Sequence, residues 1–206
     1  MKKTAENILD QALKLFNEKG TQAVTLRNIA QAAGISQGNL NYHFKTKSDI
    51  IQALYFRLVE QLNQVMGDSQ VEHPTFMLLF QSGQKVMAEM YAHRYLMLDF
   101  VNIMRDHPAI LAHYRQLQDM RQFQFLTLFD RMVAEGLMRP ELFPGEYQRM
   151  YERMNILGDY WINAQLILHP DRNLDYYLQL FLEGLFPYLT AQGQAAFKAS
   201  FGLGKA

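Results

Sequence analysis

The sequence predicts an all-α protein, and three observations predict it. Apolar residues recur with the helical period along nearly the whole 206-residue chain, no stretch alternates as a half-buried strand, and Gly or Pro interrupts the pattern where helices would end. The hydrophobic share of 49% fits a packed globular chain rather than a disordered one.

Taken in order, Ile8, Ala12, Leu15 and Phe16 form an apolar stripe that stops at Gly20, placed as a C-terminal cap. Thr25 fits an N-cap for a second helix whose Leu26, Ile29, Ala30 and Ala33 face inward until Gly34. Ser36 opens a third helix with Leu40 and Phe44 as its apolar positions. Two helices joined by a tight turn containing Gly make a helix-turn-helix. From about Lys47 to residue 66 a longer helix carries Ile50, Ile51, Leu54, Tyr55, Leu58, Val59, Leu62 and Val65 on one stripe and serves as a connector. The segment Gly67–Pro74 breaks the pattern and is the candidate boundary. Further helices are expected near 75–92, 95–106, 109–135, 146–168, 172–190 and 194–201, with Pro187 kinking or ending its own. These elements divide into a three-helix, helix-turn-helix domain over 1–48 and a larger helical domain over 49–206.

Net charge is zero, but up to residue 50 there are seven basic and four acidic side chains, about +3, which leaves about −3 for the remainder. Cys is absent, which removes disulfides, thiolate nucleophiles and Cys-ligated zinc. No long uninterrupted apolar run and no apolar stretch behind the N-terminal lysines occurs, so a cytoplasmic protein without a membrane partner is expected.

The segment "GISQGNLNYHFKTK" is poor helix material, because Gly38 costs about 1 kcal/mol relative to Ala and Asn39 and Asn41 are weak formers. A helix lying in a DNA major groove explains the choice. Gln37, Asn39 and Asn41 carry amides suited to pair bidentately with adenine, and Gly38 lets the backbone come close. Tyr42 and His43 can donate to phosphate oxygens, while Thr25, Ser36, Lys45 and Lys47 stand at helix ends that would meet the DNA backbone. A short polar helix exposed to solvent is the plain alternative.

The stretch "TLRNIAQAAGISQGNLNYHFKTKSDII", with the preceding "LFNEKG", resembles the DNA-binding segment of the tetracycline-repressor (TetR) family of bacterial transcriptional regulators. Thr25, Ile29, Ala30, Gly34, Ser36, Gly38, Tyr42, Phe44 and Lys47 fall in the family's spacing, over roughly the first fifty to sixty residues. One departure is Asn41, whose position often holds an aromatic. The resemblance implies a homodimeric regulator of double-stranded operator DNA, usually a repressor, with an all-helical second domain that dimerises and often binds a small-molecule effector.

Residues 75–190 hold most of the 14 Phe, 11 Tyr and 12 Met together with Trp161, a supply of adaptable apolar surface. Tyr95, Phe100, Met104, Phe123, Met154 and Trp161 are candidate contacts for a mainly apolar effector, with plain core packing as the other reading of such stripes. Asp99, which interrupts "YLMLDFVNIM", and Asp159, between Asn155 and Asn163, are candidates to orient it. Hydrogen bonding across a dimer seam, or exposure of Asp99 at a helix end, accounts for them equally. The helices expected over 146–168 and 172–190 are apolar on more than one face, and the resemblance implies that they pair with a second copy as a four-helix bundle. Gly158, Ala164 and Gly184 would permit close approach there.

An enzyme finds no support. HExxH, a P-loop, a strand-linked GxGxxG and Cys are all missing, and the six histidines show no i, i+4 pairing, so neither cofactor nor metal is expected. The alternative from another class is a helical interaction or adaptor protein of the same fold without specific DNA binding, which would have no use for the polar readers of the third helix.

Overall fold

A computed structural model describes residues 2–68 and 75–201. Its regular structure is helical: α1 (Lys2–Ala23), α2 (Leu26–Ala32), α3 (Gln37–His43), α4 (Lys47–Asp68), α5 (Phe76–Ala92), α6 (Arg94–Leu98), α7 (Phe100–Asp106), α8 (Pro108–Ala134), α9 (Glu146–Leu168), α10 (Leu174–Glu183) and α11 (Ala191–Phe201), with a 3₁₀ turn at Phe186–Tyr188. Among the described residues no strand forms, and Met138 and Leu189 make a single antiparallel bridge. Most of the expected Gly67–Pro74 boundary lies outside the described residues.

Two compact units emerge, and neither is continuous in sequence: Met1–Asn63 with Glu89–His113, and Gln64–Ala88 with Tyr114–Ala206. In the first, Ile8, Ala12 and Phe16 of α1, Ile29 of α2, Leu40 of α3 and Ile50, Leu54 and Leu58 of α4 are buried. The inward stripes anticipated from periodicity are the ones that pack. Tyr95, Leu96, Ile103 and Ile110 join this core from α6, α7 and the start of α8, with the Tyr95 ring 5.5 Å from that of Phe16. In the second unit Phe76, Phe129, Met132, Tyr147, Met150, Trp161, Leu178 and Phe197 are buried. There α5 meets α10 so closely that a side chain at Gly83 would stand 2.5 Å from Leu178 Cδ1.

Three boundaries differ from expectation for identifiable reasons. Gly20 does not simply end α1: it adopts φ 76, ψ 158, a conformation reserved for glycine, and one further turn brings the chain to Ala23. The single helix expected over 95–106 is broken at Asp99 (φ −117, ψ 25) into α6 and α7. The helix expected over 172–190 stops at Glu183, because the Pro187 ring would collide with the carbonyl of residue 183 if the helix ran on.

Candidate nucleic-acid interface

The α2–α3 pair is set by its own caps. The Thr25 N–H donates to Asn28 Oδ1 at 2.9 Å and the Asn28 N–H donates to Thr25 Oγ1 at 3.2 Å, a reciprocal box that fixes the entry of α2. At its exit Gly34 has φ 69, and the Ile35 N–H reaches back to Ala30 O at 3.0 Å, closing a Schellman turn. Ser36 then caps α3, its Oγ accepting from the Asn39 N–H at 3.2 Å.

Within α3 Leu40 is buried, while Gln37, Gly38, Asn39, Asn41 and Tyr42 are exposed and His43 is half-buried. Tyr42 is 70% exposed, an unusual position for so large a ring. Gly38 is equally telling. It lies in the helix, and a Cβ built there meets only Ser36 Oγ, at 3.9 Å, so nothing in the protein's own packing asks for glycine. The sequence-expected readers are therefore each open to solvent, with Thr25 and Lys45 also exposed.

Lys47 is placed otherwise. Its Nζ donates to Thr21 O at 2.7 Å and Val24 O at 3.1 Å, satisfying carbonyls where α1 ends. Two of its three N–H groups are thus committed inside the unit, leaving one for the phosphate contact expected of it. The start of α4 beside it is set by a second reciprocal box, with the Thr46 N–H on Asp49 Oδ2 at 2.9 Å and the Asp49 N–H on Thr46 Oγ1 at 3.1 Å. The T-x-x-D spacing was a legible signal that sequence reasoning left unused, as was Asn28 three residues after Thr25.

Other contacts in this unit were not foreseen. Thr21, almost wholly buried, donates through Oγ1 to Asp99 Oδ2 at 2.7 Å, and Asn102 Nδ2 donates to Asp99 Oδ1, also at 2.7 Å. Ser48 Oγ is hydrogen-bonded to His107 Nδ1 at 2.9 Å, and Tyr55 OH to His113 Nδ1 at 2.9 Å. Burial lowers the His107 pKa, against the opposing charge of Asp106, and pushes the Tyr55 phenol up to about 12. A cavity of about 220 Å³ bordered by Thr21, Lys47, Ser48, Asp99 and His107 lies at this meeting of α1, α4 and α7. Of the expected effector contacts only Asp99 borders it.

The remaining effector candidates fall into separate surroundings. Tyr95 and Met104 are buried and Phe100 half-buried in the first unit. In the second, Met154 is buried, Trp161 packs 5.8 Å from the Tyr177 ring, and Asp159 Oδ2 accepts from Tyr114 OH at 2.9 Å. Burial raises the Asp159 pKa, partly countered by that hydrogen bond. Phe123 is 73% exposed and does not join Met154 and Trp161 in the core. Gly158 and Gly184 both lie against Phe181 of the same chain. Among the described residues no cluster of three or more His, Asp or Glu is arranged to hold a metal ion, and no helix is long and apolar enough to cross a membrane.

Two family models match the chain. "Bacterial regulatory proteins, tetR family" covers residues 8–54 and "Bacterial transcriptional repressor" covers residues 57–197. Among curated relatives, the HTH-type transcriptional regulator AcrR of Shigella flexneri is 34% identical over 71 residues, a match spanning 34% of this chain and 33% of that relative. The HTH-type transcriptional repressor KstR2 of Mycolicibacterium smegmatis is 23% identical over 141 residues, 66% of this chain and 68% of the relative. A solved TetR-family regulator from Marinobacter aquaeolei superimposes with a TM-score of 0.86 at 21% identity, covering 96% of this chain and 97% of its own. With α2 and α3 capped as a helix-turn-helix and the second model spanning most of the rest, the chain belongs to the TetR family of bacterial transcriptional regulators.

Proposed function

We propose that the protein is a homodimeric repressor that reads operator DNA with α3 and is released by a small, mainly apolar effector, without enzymatic activity of its own. The observation that carries this reading is Gly38. A glycine inside a helix costs stability, and here neither positive φ nor a close contact within the protein compensates it. Close approach to an external surface does. Gln37, Asn39 and Asn41 are exposed on the same short helix and would read base edges, while Thr25, Tyr42, His43 and Lys45 would hold the phosphates.

Dimerisation is supported by exposed apolar residues on the last long helices. Ile156, Tyr160 and Ile167 of α9 and Tyr176 and Leu180 of α10 face solvent at helical spacing, and the same helices of a second copy would cover them as an isologous bundle. Such a dimer reads half-sites about 34–36 Å apart, so a shift of a few ångströms between its two heads prevents simultaneous docking. Release would act through the first unit, where α6 and α7 are hydrogen-bonded to the α1–α4 head.

The test is selection of genomic DNA fragments on the purified protein, followed by binding of the recovered site to wild type and Gly38→Ala. Enrichment of one sequence, with weaker binding by the variant, supports the reading. No enrichment at low salt favours the adaptor alternative.

A further inference from the structure

His93 lies at the turn between α5 and α6, 2% exposed, in the middle of a joint that α1 makes. Asn17 of α1 brackets it: Nδ2 donates to Ala92 O at 2.7 Å, and Oδ1 accepts from the Tyr95 N–H at 3.0 Å. His93 Nδ1 lies 3.1 Å from Glu89 O. A carbonyl can only accept, so the imidazole proton sits on Nδ1 and Nε2 carries the lone pair. Nε2 is buried and has no hydrogen-bond partner. A proton added there would become an N–H without an acceptor, taken out of water, with Arg57 of α4 as the neighbouring charge.

We propose that this joint is proton-responsive: the α5–α6 turn that Asn17 of α1 grips keeps its geometry only while His93 is neutral, so acidification loosens the DNA-reading unit.

The charges around the joint favour the neutral ring. From α4 comes the Arg57 guanidinium, which opposes a second positive charge although its outer edge is paired with Asp10 and Glu6 of α1. From α1 the contact is the neutral Asn17. On its own side of the joint Glu89 contributes its backbone carbonyl, Arg94 lies over the Tyr91 ring, and the buried Tyr95 is a neutral phenol. Burial is the main cause that holds the His93 pKa below the ordinary imidazole value, with Arg57 acting in the same direction and the Glu89 carbonyl against it. The sign follows. The unfolded chain takes up a proton at His93 as the pH drops below about 6.5, while the folded chain does not, so stability declines from there down to the lowered folded value. One such group changes the folding equilibrium by at most about tenfold per pH unit.

Two measurements on the full chain decide it. In a nitrogen–proton correlation spectrum of the wild-type imidazoles, His93 should stay as its Nδ1–H tautomer below the ordinary imidazole value of about 6.5. In denaturant titrations, the wild type should lose stability between pH 7 and 5 by several-fold more in its folding constant than His93→Gln does. The bearing on regulation rests on the proposed function: operator affinity should fall over the same range in the wild type and less in the variant. Should no DNA bind at any pH, that proposed function fails while the imidazole and stability titrations still decide this inference. A His93 that titrates at or above the ordinary value, or identical pH profiles for wild type and His93→Gln, overturns it. Should the variant not fold, the imidazole spectrum of the wild type alone decides.

Discussion

Thr21 and Asp99, 78 residues apart in sequence, meet through a hydrogen bond of 2.7 Å that joins the end of α1 to the break between α6 and α7. Thr21 is also the residue whose carbonyl accepts from Lys47. Asp99, Thr21 and Lys47 therefore form one chain of hydrogen bonds from α6–α7 to the start of α4, beside the reading helix.

Thr21→Val removes the donor and keeps the shape. A hydrogen bond to a charged group contributes about 1.5–3 kcal/mol, and the lower end applies because Asp99 is only half-buried. Urea denaturation should show a loss of that size. A loss below about 0.5 kcal/mol means that the contact does not hold the unit together.

Lys47 and Asn39 should separate by phenotype. Lys47→Ala leaves two carbonyls at the end of α1 without their donor and should cost about 1–3 kcal/mol of stability. Asn39→Ala changes an exposed side chain and should leave stability within about 0.5 kcal/mol while costing about 1–3 kcal/mol on the preferred operator. Paired denaturation and binding curves check both, and the assignment is reversed if Asn39→Ala unfolds the chain and Lys47→Ala does not.

Gly38→Ala should do two opposite things. With open space at Cβ and helical backbone, it should raise the denaturation midpoint by up to about 1 kcal/mol of stability, and the same methyl group should weaken operator binding. A stabilised variant with undiminished affinity would show that α3 does not approach DNA at Gly38.

Glu146 gives a prediction in acid. Its carboxylate accepts two hydrogen bonds from Arg139, at 2.7 and 2.8 Å, and one from the Leu142 N–H at 2.7 Å, which together hold its pKa down to about 2. A depressed carboxylate pKa stabilises the fold above the ordinary glutamate range, and that stabilisation is lost as the pH falls from about 4.5 toward 2. Relative to wild type, Glu146→Gln should therefore be least stable near pH 6, with the gap narrowing below pH 4.5 in denaturant titrations. A gap that does not depend on pH would show that the charge on Glu146 contributes nothing.

The parts of this fold that were legible in the sequence are the local ones. Thr25, Gly34 and Ser36 act within a turn of themselves, so spacing alone located α2 and α3 and hence the exposed polar residues of α3. The stripe from Ile50 to Val59 required no more than the helical period. What the sequence could not display are pairings between distant residues, such as the hydrogen bond that Thr21 donates to Asp99. The partners that Lys47 meets, Thr21 O and Val24 O, are backbone carbonyls, which no side-chain pattern reveals. Phe123 has the residue type of a core position, but only the packing of α8 tells that it faces water.

The central claim is sequence-specific DNA reading by α3, and the most direct measurement is selection of duplex fragments by wild type, Gln37→Ala and Asn39→Ala over a range of salt. The account predicts that the wild type enriches a site with two related half-sites, with affinity falling at a log–log slope of about −0.9 per neutralised phosphate. It also predicts that each alanine variant relaxes base choice within the half-site. Failure to enrich any fragment at low salt, or an enriched site to which both variants are indifferent, would contradict it.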